Sequence, residues 1–130
     1  MNKFDKKIFT FNDATNIVFF SSGDFGIPTL KALIEDKRYN VKGIVTSKDK
    51  VVYNDKRILD IAKENGIPCC IPSNEEELYC FLETIKNNEF ETGNNLYYCV
   101  ISYKKLSDRI LSLVEGRAMN IHASILPFLR

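Results

Sequence analysis

The run Asn16-Ile17-Val18-Phe19-Phe20-Ser21 constrains this chain more than any other feature. It is a compact stretch of β-branched and aromatic residues without polar alternation, the pattern of a parallel strand buried on both faces. Ser22-Gly23-Asp24-Phe25-Gly26 follows as a turn, and Pro28 suits the first turn of a helix. Ile27, Leu30, Leu33 and Ile34 then fall at helical spacing. A strand fed directly into a helix in this way has to be completed by further strands beside it.

The rest of the chain supplies them. Val41–Thr46 reads as a second strand. Asp55 is placed to cap a helix over Lys56–Asn65, which turns Ile58, Leu59, Ile61 and Ala62 inward and stops at Gly66. Ile67–Ile71 is a short third strand between prolines. Ser73 or Asn74 caps a helix whose first turn is acidic (Glu75, Glu76, Glu77), favourable to the helix dipole, with Leu78, Phe81, Leu82 and Ile85 on its apolar side. Lys86–Asn95 reads as a polar loop, Leu96–Ser102 as the fourth strand, Leu106–Val114 as a short helix and Arg117–Ile121 as the fifth strand. This alternation predicts an α/β fold: a doubly wound, mainly parallel sheet with right-handed crossovers and helices on both faces. Ligands of such sheets bind beyond the carboxyl ends of the strands, where Ser21–Gly26, Ser102-Tyr103 and Asn120–Ser124 meet.

At 130 residues the chain is long enough for one domain with a core of its own. A net charge of +1 gives no general reason to expect nucleic-acid or membrane attraction, and no apolar run approaches the length of a bilayer span. Residues 1–15 read as a polar N-terminal extension without a signal core, and residues 16–130 as the domain. The expected compartment is the cytosol. Cys69, Cys70, Cys80 and Cys99 have no metal-ligand spacing and are expected to be buried filler in a reducing environment, with no metal site.

The chemistry concentrates in Met119-Asn120-Ile121-His122-Ala123-Ser124-Ile125-Leu126-Pro127, which holds the single histidine. Asn120 and His122 are two residues apart at a strand exit, so their side chains are expected to share one side. A carboxamide and an imidazole there can donate to an oxygen that becomes negative during acyl transfer. The Ser21–Gly26 turn is a weak nucleotide motif. It lacks G-x-G-x-x-G, a Walker lysine and the carboxylate that a dinucleotide ribose requires. It is either a structural strand-to-helix turn or a rim touching a substrate phosphate or amine. Lys104-Lys105 reads as a solvated pair, and Tyr97, Tyr98 and Tyr103 as core and rim packing.

Asn-Ile-His-Ala-Ser-Ile-Leu-Pro closely resembles the motif of the formyl-tetrahydrofolate-dependent formyltransferases. The segment from Asn16 to Leu30 is similar to the family's first strand, turn and helix, and Gly66-Ile67-Pro68 and Val100-Ile101-Ser102-Tyr103 match as well. The methionyl-tRNA formyltransferase branch is resembled most, and His-Ala-Ser rather than His-Pro-Ser favours the tRNA and sugar-amine branches. The resemblance implies a Rossmann-like domain that moves a formyl group from formyl-tetrahydrofolate to an amine, that of initiator methionyl-tRNA or of a nucleotide-linked amino sugar. It implies Asn120 and His122 as catalytic residues and Ser102, Tyr103, Ser124, Leu126 and Pro127 as donor contacts. Ser22, Gly23, Asp24 and Phe25 become acceptor contacts. The loop Ser47–Lys56 lacks the glycine- and arginine-rich pattern of the tRNA branch, which points toward the sugar amine. The aspartate implied by the family lies past the Leu-Pro corner, and the sequence stops at Arg130. The expectation is therefore a fold truncated at its carboxyl end, with little or no activity alone. A non-catalytic remnant that binds a partner or a pteridine is the alternative of another class.

Overall fold

The computed structural model describes residues 14–47, 52–88 and 95–121. Five strands form one sheet: β1 (Thr15–Ser21), β2 (Tyr39–Val45), β3 (Cys69–Cys70), β4 (Leu96–Ile101) and β5 (Ala118–Ile121). Their order is β3-β2-β1-β4-β5, and every neighbouring pair is parallel. Among the described residues four α-helices connect them: α1 (Ile27–Glu35), α2 (Val52–Glu64), α3 (Glu75–Asn88) and α4 (Asp108–Ser112). This is the doubly wound α/β sheet that the alternation predicts.

β1 is central because it is apolar on both sides. Val18, Phe19 and Phe20 are fully buried. Val18 and Phe20 join Val45, Tyr98 and Val100 under Leu78, Leu82 and Ile85 of α3 and Ile110 of α4. Ile17 and Phe19 point the other way, onto Ile27 and Leu30 of α1 and Ile58 and Ala62 of α2. Tyr98 can lie in the first core because its hydroxyl donates to the Ile110 carbonyl at 2.9 Å. Burial pushes its phenol well above the ordinary range.

Gly43 sets how closely α3 approaches the sheet. A Cβ there would fall 2.5 Å from Ile85 Cδ1. Asn74, rather than Ser73, is the α3 cap: its Oδ1 accepts the Glu77 amide at 2.8 Å, while the Ser73 amide donates to the Glu77 carboxylate. Arg109 ties α4 back to α3, reaching Glu76 at 2.9 and 3.3 Å with its guanidinium 4.0 Å from the centre of the Tyr79 ring.

Four elements differ most from the sequence reading. β3 holds only Cys69–Cys70 of the expected Ile67–Ile71. α2 begins at Val52, so Asp55 lies within the helix and is not its cap. α3 continues to Asn88, placing Lys86 in its last turn, where a cation suits the helix dipole, instead of in a loop. α4 covers only Asp108–Ser112. Ser107 caps it, and it ends where Glu115 (φ 52°) and Gly116 (φ 80°) turn left-handed and the Gly116 amide returns to the Leu111 carbonyl at 3.0 Å.

Candidate active site

The strand order reverses at β1. The chain winds outward through β2 and β3, then crosses to β4 and β5 on the other side. The crevice at such a reversal, beyond the carboxyl ends of β1 and β4, is the natural ligand site of this architecture. The predicted rim segments Ser21–Gly26 and Ser102-Tyr103 both lie there.

Ser21 closes β1. It is fully buried, and its hydroxyl donates to the Gly23 carbonyl at 3.2 Å. Gly23 has φ 86°, a conformation that glycine adopts without a steric penalty. The backbone then makes a single 3-10 turn, Asp24–Gly26, and enters α1. The tightness of this turn projects Phe25 outward. Its ring is 60% exposed, notable for an aromatic beside so apolar a core.

The exits of β1, β4 and β5 are laced together. The Ser22 amide donates to the Ser102 carbonyl at 3.2 Å, and the Ser102 amide donates to the Ile121 carbonyl at 3.2 Å. Ser102 itself has φ 52°, rare for a residue that is neither glycine nor asparagine. The kink sends the following residue, Tyr103, back into the core, 8% exposed and edge-on to Phe20 at 5.5 Å. The Tyr103 ring therefore packs below the rim. Sequence reasoning named Ser102 and Tyr103 but missed this lacing; the serine pair carries no local pattern that announces it.

Asn120 stands on β5 in one row with Val100 and Phe20. It is exposed, as is every residue of β5, including Met119 and Ile121. A carboxamide in that position offers an N–H to a ligand oxygen at the strand exit. His122, Ala123, Ser124, Leu126 and Pro127 lie outside the described residues, so the expected pairing of Asn120 with His122 rests on strand alternation alone. Glu115, a carboxylate within reach of β5 in sequence, sits before the amino end of the strand and pairs with Arg117 at 3.1 Å. It lies at the opposite end of β5 from Asn120 and the strand exit.

Next to this rim is a cavity of about 60 Å³, walled by Pro72, Asn74 and Leu78 on one side and Lys104, Leu106 and Ser107 on the other. Lys104 and Lys105 are exposed, as expected of a solvated pair. Tyr98 and Tyr103 are core residues, whereas Tyr97 is 40% exposed, with the Arg117 guanidinium 5.6 Å from its ring centre.

The cysteines fit the filler expectation only in part. All four are thiols outside any disulfide, but only Cys99 is buried; Cys69 and Cys70 are half-buried and Cys80 is exposed. Burial, with a smaller push from Glu77, raises the Cys70 thiol to about 11, which leaves it protonated and a poor nucleophile near neutral pH. Among the described residues no cluster of His, Cys, Asp and Glu suits a metal ion, and no helix is long and apolar enough to cross a membrane.

No family model matches the chain. Among curated proteins it is similar to methionyl-tRNA formyltransferases. The Clostridium novyi enzyme is 29% identical over 117 residues, with 85% of this chain and 36% of that protein covered. The Thermotoga neapolitana enzyme is 31% identical over 119 residues, with 85% and 35% covered. The chain thus spans little more than a third of the length of these relatives. Among solved structures, glycinamide ribonucleotide transformylase 1 from Geobacillus kaustophilus superposes with a TM-score of 0.61 at 16% identity, covering 88% of this chain and 61% of that one. Phosphoribosylglycinamide formyltransferase from Brucella melitensis gives 0.58 at 24% identity, covering 88% and 59%.

Proposed function

This chain is a homologue of the methionyl-tRNA formyltransferases and has a formyltransferase fold, and from that premise we propose that it forms the part of a formyltransferase where the formyl group changes hands. The donor in this reading is formyl-tetrahydrofolate and the acceptor is the amino group of initiator methionyl-tRNA. The observation that carries the reading is the placement of Asn120. It is exposed at the carboxyl end of β5, one strand from the crevice beyond the exits of β1 and β4.

The amine attacks the formyl carbon and forms a C–N bond, and the carbonyl oxygen takes up the negative charge. The Asn120 carboxamide donates to that oxygen. His122 stabilises the same charge and carries the proton from the attacking nitrogen toward the folate nitrogen, which leaves as its bond to the formyl carbon breaks. We assign Tyr103, Ser124, Leu126 and Pro127 to donor contact, with the Tyr103 ring acting as floor packing, and Ser102 to the donor side through its backbone alone. Ser22, Gly23, Asp24 and Phe25 lie along the acceptor side. We place the protein in the cytosol, a compartment that keeps its four thiols reduced.

The test is formylation by the full-length protein, with labelled formyl-tetrahydrofolate and two acceptors in parallel, charged initiator tRNA and an amino-sugar nucleotide. Label transferred to the methionyl-tRNA alone supports this acceptor. Transfer to the sugar amine alone assigns the sugar-amine branch, to which the Ser47–Lys56 loop points. No transfer to either amine would leave the non-catalytic reading standing.

A further inference from the structure

We infer that Ser102 is a positioning residue, whose left-handed backbone holds Asn120 in register with the acceptor turn; this rests on the reading of Asn120 as the oxyanion donor. Among the described residues its peptide groups are the last rung of two ladders at once. The amide reaches Ile121, next to Asn120, and the carbonyl receives Ser22, the first residue of the turn that carries Phe25. Two other facts give this rung weight. β5 pairs only with β4 among the described strands, and all of its residues are exposed, so little else secures its carboxyl end. The geometry of the rung also depends on φ 52° at Ser102, a conformation that L side chains adopt at a cost. Glu115 is the other non-glycine residue with positive φ among those described, and the turn that follows α4, closed by the Gly116 amide on the Leu111 carbonyl, explains it. At Ser102 no helix end requires the kink. It turns Tyr103 down against Phe20 while both of its peptide groups stay engaged at the rim.

A residue acting through its backbone should be replaceable according to how well the newcomer tolerates the left-handed region. Retention of the hydroxyl should not matter. Asparagine and glycine enter this region readily, whereas β-branched residues resist it. In the full-length protein, Ser102→Asn and Ser102→Gly are expected to keep kcat within about threefold of native and to leave the KM for formyl-tetrahydrofolate unchanged. Ser102→Thr keeps the hydroxyl, yet it is expected to lose about ten- to a hundred-fold in kcat with little change in KM, as a small misplacement of a catalytic group does. Residue-resolved amide exchange should show faster exchange at Ser22 and at residue 102 in the threonine variant, with the centres of β1 and β4 still protected.

The opposite order, threonine active with asparagine and glycine impaired through a raised donor KM, would overturn the proposal and assign the hydroxyl to donor contact. Loss of kcat in the asparagine and glycine variants would overturn it too, even if the threonine protein does not fold. Asn120→Ala in the same assay separates the two claims. Native-like rates in that variant would mean that the reading of the site has failed. A deep loss there, with all three Ser102 variants at native rates, would mean that only the positioning role has failed.

Discussion

Gly26 lies directly against Ser21: a Cβ on Gly26 would stand 2.7 Å from the Ser21 hydroxyl oxygen and 3.1 Å from the tip of the Phe19 ring. The turn after β1 is therefore as tight as the end of the strand allows. Because Ser21 is fully buried, neither partner can swing away without opening the core. Gly26→Ala is expected to destabilise the protein by about 1–3 kcal/mol, the usual cost of overpacking. Urea unfolding of Gly26→Ala, Ser21→Gly and the pair should show the double variant losing less than the sum of the singles.

A second close approach, between Gly43 and α3, gives a cleaner cycle. The atom that a Cβ on Gly43 would meet at 2.5 Å is Ile85 Cδ1, which Ile85→Val removes. Gly43→Ala alone should lose about 1–3 kcal/mol, and Ile85→Val alone about 0.5–1.5 kcal/mol. In the double variant the two costs should partly cancel. Strict additivity in chemical denaturation would contradict the packing assigned to α3.

Stability toward acid should carry the mark of two exposed ion pairs. Arg38 holds the Asp36 carboxyl down at about 2, chiefly through side-chain hydrogen bonding, and Arg109 lowers that of Glu76 in the same way. A carboxyl depressed on folding stabilises the native state above its unfolded value, and that stabilisation is lost as the pH falls through its folded value. For Asp36 the window runs from about pH 4 down to about 2. Asp36→Asn should flatten the acid limb of the stability curve there. Added salt should weaken the native slope, since both pairs are open to solvent. An unchanged limb in the variant would remove Asp36 from the account.

Thiol labelling checks the burial of the cysteines. Cys80 is exposed and should react first with a thiol reagent near pH 8, ahead of Cys70, whose thiol stays protonated at that pH. Cys99 is buried, with its thiol pushed up by desolvation, and should react only on unfolding. Rapid modification of Cys99 in the native protein would contradict the packing of β4.

The centre of the sheet was legible in the sequence because β1 and β4 are buried on both faces. Runs such as Ile17–Phe20 and Cys99–Ile101 have no polar alternation and read as parallel strands without reference to their partners. The helix ends were less legible. The start of α2 at Val52 overrides a plausible cap at Asp55, and whether Leu106 belongs to α4 depends on where Ser107 finds its hydrogen bond. Contacts between distant residues were not legible at all. Nothing near Gly43 announces Ile85, and nothing in Ser102-Tyr103 shows that one residue ties three strand exits while the next turns into the core. At the site, the sequence put Asn120 at a strand exit, and the structure places it there with its side chain exposed. His122 follows one residue past the described end of β5, so its share of the site is still a sequence-based expectation.

The central claim is that Asn120 donates a hydrogen bond to the oxygen that becomes negative during formyl transfer. The most direct measurement is the single-turnover rate of formyl transfer to the accepted amine at saturating formyl-tetrahydrofolate, for the native protein, Asn120→Ala and Asn120→Asp. Asn120 is exposed, so neither change should lower the melting temperature appreciably. Alanine removes the donor and should slow transfer about a hundred- to a thousand-fold. Aspartate keeps the shape but sets a negative charge where charge develops, so it should be at least as slow. Rates for both variants within about threefold of native, in proteins of unchanged stability, would contradict the account.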